Sequence, residues 1–230
     1  MSQACLDLDR VRAILFDIDG TLADTHEALA IRLANGLRPI AWLFPRRNPR
    51  PFARRLLLAT EGPANFLYAL ADRLALDELA APLLDAVHWL RGEARSRGFH
   101  LLPAIHPMLA HLRARYRLGI VSARDSRGVA AFLAESGLAP FFDCVASVRT
   151  CRRSKPHPAP VLWAATQLGV PPESCLMVGD TTVDIRAGRA AGAQTAGVLC
   201  GFGEQEELVR AGAGIVLAST CDLLQVLPLS

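Results

Sequence analysis

Four short segments of this 230-residue chain carry side chains that could do chemistry together. Asp17-Ile18-Asp19-Gly20-Thr21 sets two carboxylates two residues apart and follows them with a glycine that permits a sharp turn. Ser122 offers a hydroxyl and Lys155 an ammonium, while Gly179-Asp180-Thr181-Thr182-Val183-Asp184 adds two further carboxylates. Clustered carboxylate oxygens suit a hard divalent cation such as Mg²⁺. An ammonium, a hydroxyl and the N–H groups of a glycine turn suit the oxygens of a phosphoryl group. Each segment alone also has an ordinary reading: a turn at Asp19-Gly20, a helix cap at Gly179-Asp180 or Ser122, a first-turn acid at Asp184. The case for chemistry rests on their convergence.

Convergence depends on the elements that carry them. Residues 11–16 form a short apolar run that suits a buried strand, and it delivers Asp17 at its end. After Gly98 the pattern alternates. Strands are predicted at 118–121, 144–148, 175–178, 195–199 and 214–217, and helices over 126–135, 158–168 and 183–191. Such alternation predicts an α/β fold, a Rossmann-like parallel sheet covered by helices on both faces. In open parallel sheets ligands bind beyond the carboxyl ends of the strands. Asp17, Asp19, Ser122 and Asp180 all stand at such ends, and Lys155 stands in the loop before the helix at 158. Between about 24 and 98 the chain reads differently, as about four helices rich in Ala, Leu and Arg with breaks at 45–51, 61–63 and 82. The expected division is therefore a core from 1–23 and 99–230 with a helical insert over 24–98.

Composition narrows the classes. A net charge of +3 calls for neither nucleic acid nor an anionic membrane as partner. No apolar run is long enough to span a bilayer, and the first residues lack a signal-peptide pattern, so a cytoplasmic protein is expected, monomer or homodimer. Six scattered cysteines form no C-x-x-C pair and are expected to be reduced. The basic residues are twenty-four arginines and a single lysine, Lys155. A compact ammonium is retained where a guanidinium will not substitute.

Phe16-Asp17-Ile18-Asp19-Gly20-Thr21-Leu22 resembles the first signature of the haloacid-dehalogenase (HAD) superfamily in its phosphatase form. Ser122, Lys155-Pro156 and Gly179-Asp180 through Asp184 match the second, third and fourth signatures in order. Gly192-Ala193 and Gly212-Ala213-Gly214 are similar to phosphoglycolate-phosphatase-like members. The resemblance implies a magnesium-dependent phosphatase acting on a small phosphorylated metabolite. Phosphoryl transfer needs an in-line nucleophile, charge neutralisation and a proton for the leaving group. Asp17 would attack phosphorus to give a mixed anhydride that water cleaves. Asp19 would protonate the departing oxygen and then deprotonate the water. Gly20 would turn the loop so that its backbone N–H groups face the phosphate, and Thr21 would brace it. Mg²⁺ would take a carboxylate oxygen of Asp17, the backbone carbonyl of Asp19 and a carboxylate oxygen of Asp180. Lys155 would neutralise Asp17 and the phosphoryl oxygens, and Ser122 would donate a hydrogen bond to one of them, beside Ala123. By the resemblance, Asp184 orients a metal-bound water or pairs with Lys155.

The resemblance also makes the insert a cap that closes over the site, with Thr60, Glu61 and Asn65 nearest the leaving group. The basic stretch 46–55, His26 and His157 read more simply as solvated or helix-start residues. Two departures stand out: many phosphoglycolate-type members follow the second-signature hydroxyl with Asn and Lys, where this chain has Ala123 and Arg124. An acid commonly follows Lys-Pro-x-Pro, where Ala159 stands. Asp19 argues against dehalogenase chemistry, and a cap without lysine excludes the Schiff-base route of phosphonatases. A phosphosugar mutase of the same superfamily, or a non-catalytic HAD-like binding protein, remain as alternatives.

Overall fold

The computed structural model describes residues 6–24, 37–43, 49 and 99–228. The chain divides into two compact units, Met1–Asp24 with Leu101–Ser230, and Thr25–His100. Of the second unit the one described element is a 3-10 helix, Arg38–Leu43. The helices expected over 24–98, His26, the cap residues Thr60, Glu61 and Asn65, and all of the basic stretch 46–55 except Pro49 lie outside the described residues.

The first unit is built on six strands: β1 Ala13–Phe16, β2 Arg117–Val121, β3 Cys144–Ala146, β4 Cys175–Gly179, β5 Gln194–Val198 and β6 Ile215–Leu217. They form one sheet in the order β3-β2-β1-β4-β5-β6, every neighbouring pair parallel. All six fall on the predicted segments. β1 and β4 are buried at every residue, which explains why they read as continuous apolar runs instead of alternating ones.

Helices connect the strands: α1 Ile105–Arg113, α2 Ser126–Ser136, α3 Ala159–Leu168, α4 Thr182–Ala190, α5 Gln205–Ala211 and the single turn α6 Leu223–Val226. Ala13, Leu15, Cys175 and Met177 point to one face of the sheet. There they join Val161, Ala164, Ala165 and Leu168 of α3 and Ala187 of α4 in one buried cluster. By alternation Ile14, Phe16, Leu118 and Ile120 face the other side, where α1 lies against β2. Small residues set the closeness of this packing. A Cβ on Gly119 would meet Leu15, Leu168 and Cys144, and one on Gly188 would meet Met177 and Thr195.

Helix α1 has no counterpart in the sequence reading. Pro103 and Pro107 flank its start and Ala104 caps it in the left-handed region at φ 62°, so the segment lacks the usual start signal. No helix among the described residues is long and apolar enough to cross a membrane. The five cysteines described are free thiols.

Candidate active site

From β1 the chain crosses to β2 and β3 on one side, then returns to place β4 and β5 on the other. The crevice between β1 and β4 is therefore the switch point of the sheet. Register does the rest. Phe16 lies opposite Val178, and the Asp17 N–H donates to the Val178 carbonyl at 3.0 Å. Asp17 and Asp180 thus leave adjacent strands on the same edge. With Asp184, in the first turn of α4, they bring carboxylate oxygens within 4.8 Å of one another. All three are buried: Asp17 6%, Asp180 0% and Asp184 1% exposed.

The only lysine of the chain reaches into this cluster. Lys155 Nζ donates to Asp17 Oδ1 and to Asp184 Oδ1, each at 2.6 Å. The other Asp184 oxygen accepts from Thr181 N at 3.1 Å and Thr181 Oγ1 at 2.6 Å, closing a capping box at the start of α4. Asp184 is thus both a helix cap and the second anchor of Lys155. One Asp180 oxygen accepts the Phe202 N–H at 2.7 Å, and the other lies 3.5 Å from Thr21 Oγ1. Gly20 sits at φ +75°, and a Cβ there would collide with the Asp180 carboxylate and the backbone of Gly201. Only glycine lets the turn close on Asp180.

The Gly20 N–H donates to the Ala23 carbonyl at 2.8 Å and the Thr21 N–H to Ile18 at 3.3 Å. These two amides are used within the turn, where Gly20 and Thr21 shape the loop. Thr220 Oγ1 fastens it further by donating to the Thr21 carbonyl at 2.6 Å. Ser122 is buried at the end of β2, and its Oγ accepts the Arg124 N–H at 3.1 Å; Ala123 between them is exposed. His157 Nδ1 accepts the Ala159 N–H at 3.1 Å and belongs to the start of α3.

Two participants were missed. Arg124 Nε donates to Asp19 Oδ2 at 2.7 Å while Nη2 bonds Oδ1, a two-pronged pair between residues 105 apart in sequence. The sequence marked Arg124 only as a departure from a pattern. The Gly201-Phe202-Gly203 loop, which holds Asp180, follows β5 at the same sheet edge. The strand-end rule that found Asp17 and Asp180 could have found this loop too.

The electrostatics follow from burial. Burial pushes the Asp17 carboxyl up to about 7, against the pull of Lys155, with Asp184 and Asp19 adding to the rise. Burial likewise holds Asp180 well above the usual carboxylate range, and the charges of Asp184 and Asp17 reinforce it. Burial alone would draw the Lys155 proton off more easily, but Asp17 and Asp184 together reverse this and raise its pKa. With all three buried carboxylates ionised, one ammonium would leave two negative charges uncompensated, which is why burial and mutual repulsion favour protonation of Asp17 and Asp180 in the metal-free site. A divalent cation held by oxygen ligands fits that deficit.

Comparison with known proteins agrees with this geometry. The haloacid dehalogenase-like hydrolase family matches residues 11–192. A phosphoglycolate phosphatase of Salmonella choleraesuis (strain SC-B67) is 30% identical over 96% of this chain and 94% of its own. The pyrophosphatase PpaX of Bacillus pumilus (strain SAFR-032) is 29% identical over 94% of this chain and 96% of its own. Among solved structures, a HAD family hydrolase from Deinococcus radiodurans R1 superposes with a TM-score of 0.67 at 24% identity, covering 95% of both chains. With its signatures gathered at the switch point of a parallel sheet, this chain is a phosphohydrolase and belongs to the haloacid dehalogenase-like hydrolases.

Proposed function

We propose that the protein is a magnesium-dependent phosphatase that hydrolyses a small-molecule phosphate monoester through an aspartyl-phosphate on Asp17. The observation that carries this reading is the placement of Lys155 Nζ at 2.6 Å from both Asp17 and Asp184, with Asp180 completing the carboxylate cluster. Asp17 is the nucleophile, and the Lys155 ammonium lowers the repulsion between its carboxylate and an incoming phosphate dianion. Asp19 protonates the leaving oxygen and afterwards takes a proton from the attacking water. Asp17, the backbone carbonyl of Asp19 and Asp180 would hold Mg²⁺, with Asp184 fixing Lys155 behind them. The cation supplies positive charge that neutralises phosphoryl oxygens. Ser122 contributes a hydroxyl at the neighbouring strand end.

The substrate in this reading is a small phosphorylated metabolite, and substitutions at Thr60, Glu61 and Asn65 in the segment 24–98 alter discrimination among phosphate esters more than they alter Mg²⁺ binding. The phosphoglycolate phosphatase and the pyrophosphatase match this chain almost equally well, so the ester must be found by assay. The test is Mg²⁺-dependent phosphate release from 4-nitrophenyl phosphate, then from a panel that includes phosphoglycolate and pyrophosphate. Asp17→Asn abolishes turnover in this account. Turnover that survives Asp17→Asn, or that is indifferent to Mg²⁺, refutes it.

A further inference from the structure

The carboxylate assigned to proton transfer does not stand by itself. Arg124 Nε and Nη2 each hold one oxygen of Asp19, so the guanidinium and carboxylate planes are locked together. The arginine itself is well anchored. It is 7% exposed, its N–H donates to Ser122 Oγ at 3.1 Å, and its carbonyl accepts the Val148 N–H at 3.0 Å. The next residue, Asp125, caps α2 by accepting the Gly128 N–H at 2.7 Å. A buried, clamped cation thus grips a carboxylate whose side chain is 28% exposed at the mouth of the site.

We propose that Arg124 is a positioning residue for the acid–base Asp19, a role that rests on the phosphatase reading above. A carboxylate has about four lone-pair sites, and the two-pronged pair uses two. The travelling proton is carried on the carboxyl group that this pair orients. As the Asp17–phosphorus bond forms and the ester P–O bond breaks, that proton passes from Asp19 to the leaving oxygen. When water attacks the aspartyl-phosphate, its proton returns to Asp19 and Asp17 is freed. Throughout, Arg124 fixes the plane from which the proton leaves. A lysine cannot do this equally well, because a point-charge ammonium does not match both oxygens at once.

The test reads leaving-group selectivity by kcat/KM, which reports the step in which the leaving group departs. 4-Nitrophenyl phosphate expels a good leaving group that needs little protonation. β-Glycerophosphate expels a poor, uncharged one that depends on it. Asp19→Asn widens the aryl-to-alkyl ratio by roughly 100-fold, the usual scale of a general acid. Arg124→Gln widens it by roughly tenfold, and Arg124→Lys by less. In the Asp19→Asn background, Arg124→Gln changes the ratio by less than about twofold, because its effect runs through Asp19. A merely structural arginine lowers both substrates alike and leaves the ratio unmoved, which overturns the proposal. An equal change of ratio with and without Asp19 means that Arg124 acts on the substrate directly, and also overturns it. A ratio insensitive to Asp19→Asn itself refutes the acid–base assignment, a failure distinct from that of Arg124. Should Arg124→Gln not fold, judged by circular dichroism, Arg124→Lys and its double variant carry the same comparison.

Discussion

Crowding three buried carboxylates around one ammonium should make the metal-free protein less stable as pH rises, and Asp17→Asn should relieve that cost. The folded-state pKa of Asp17 is raised from 3.8 to about 7, with burial the largest cause. An acid with a raised folded pKa binds more protons folded than unfolded between those two values. Its stabilising contribution is therefore complete below about 4 and is lost progressively as pH climbs through about 7. A shift of roughly three units corresponds to about 4 kcal/mol. That figure is an upper bound, because Asp180 shifts in the same direction and shares the protons. At about 2–4 °C per kcal/mol for a chain of this size, the Tm of the metal-free protein should drop by up to about 10 °C from this source between pH 5 and 8. The assay is thermal unfolding in chelator at several pH values, for the wild type and Asp17→Asn. Other groups titrate in both proteins, so the informative quantity is the difference between the two Tm curves. The variant should gain on the wild type as pH rises, and Mg²⁺ should raise the wild-type Tm more at pH 8 than at pH 5. A difference that stays flat across this range refutes the reasoning, since Asp17 would then titrate as it does in the unfolded chain.

Three further outcomes are expected. Lys155→Arg should lower kcat/KM by roughly 100-fold or more, because the larger planar guanidinium cannot sit at 2.6 Å from both Asp17 and Asp184 in a buried slot; steady-state kinetics on 4-nitrophenyl phosphate read this directly. Gly20→Ala should weaken Mg²⁺ binding by roughly tenfold, since its methyl group meets the Asp180 carboxylate and the φ of +75° disfavours any L side chain; calorimetric metal titration checks it. Asp143, bonded to Arg113 Nη2 at 2.8 Å and to the Leu118 N–H at 3.2 Å, has its pKa lowered chiefly by the Arg113 hydrogen bond. Asp143→Asn should cost up to about 1 kcal/mol at pH 7, a partly exposed pair being screened by water. A depressed folded pKa gives stability that is present above the unfolded value, so this gap should close as pH falls below about 4; denaturant midpoints at pH 7 and pH 3 measure it.

Local chemistry made much of this protein readable in one dimension. β1 and β4 are continuous apolar runs because both faces of the sheet are covered there, and the polar residues follow at their ends because a buried strand has no other place for them. Gly20 and the single lysine were visible for the same reason: each is a residue type that its position cannot exchange. Tertiary structure alone decided the rest. Nothing in the spacing of Asp17 and Asp180 says that β4 docks beside β1, yet that pairing sets both carboxylates on one edge. The grip of Arg124 on Asp19 joins residues 105 apart, and a side chain's partner at that distance depends on where the sheet brings two loops together. The raised pKa of Asp17 has the same origin, because a carboxylate meets burial and two like charges only after the chain has closed around it.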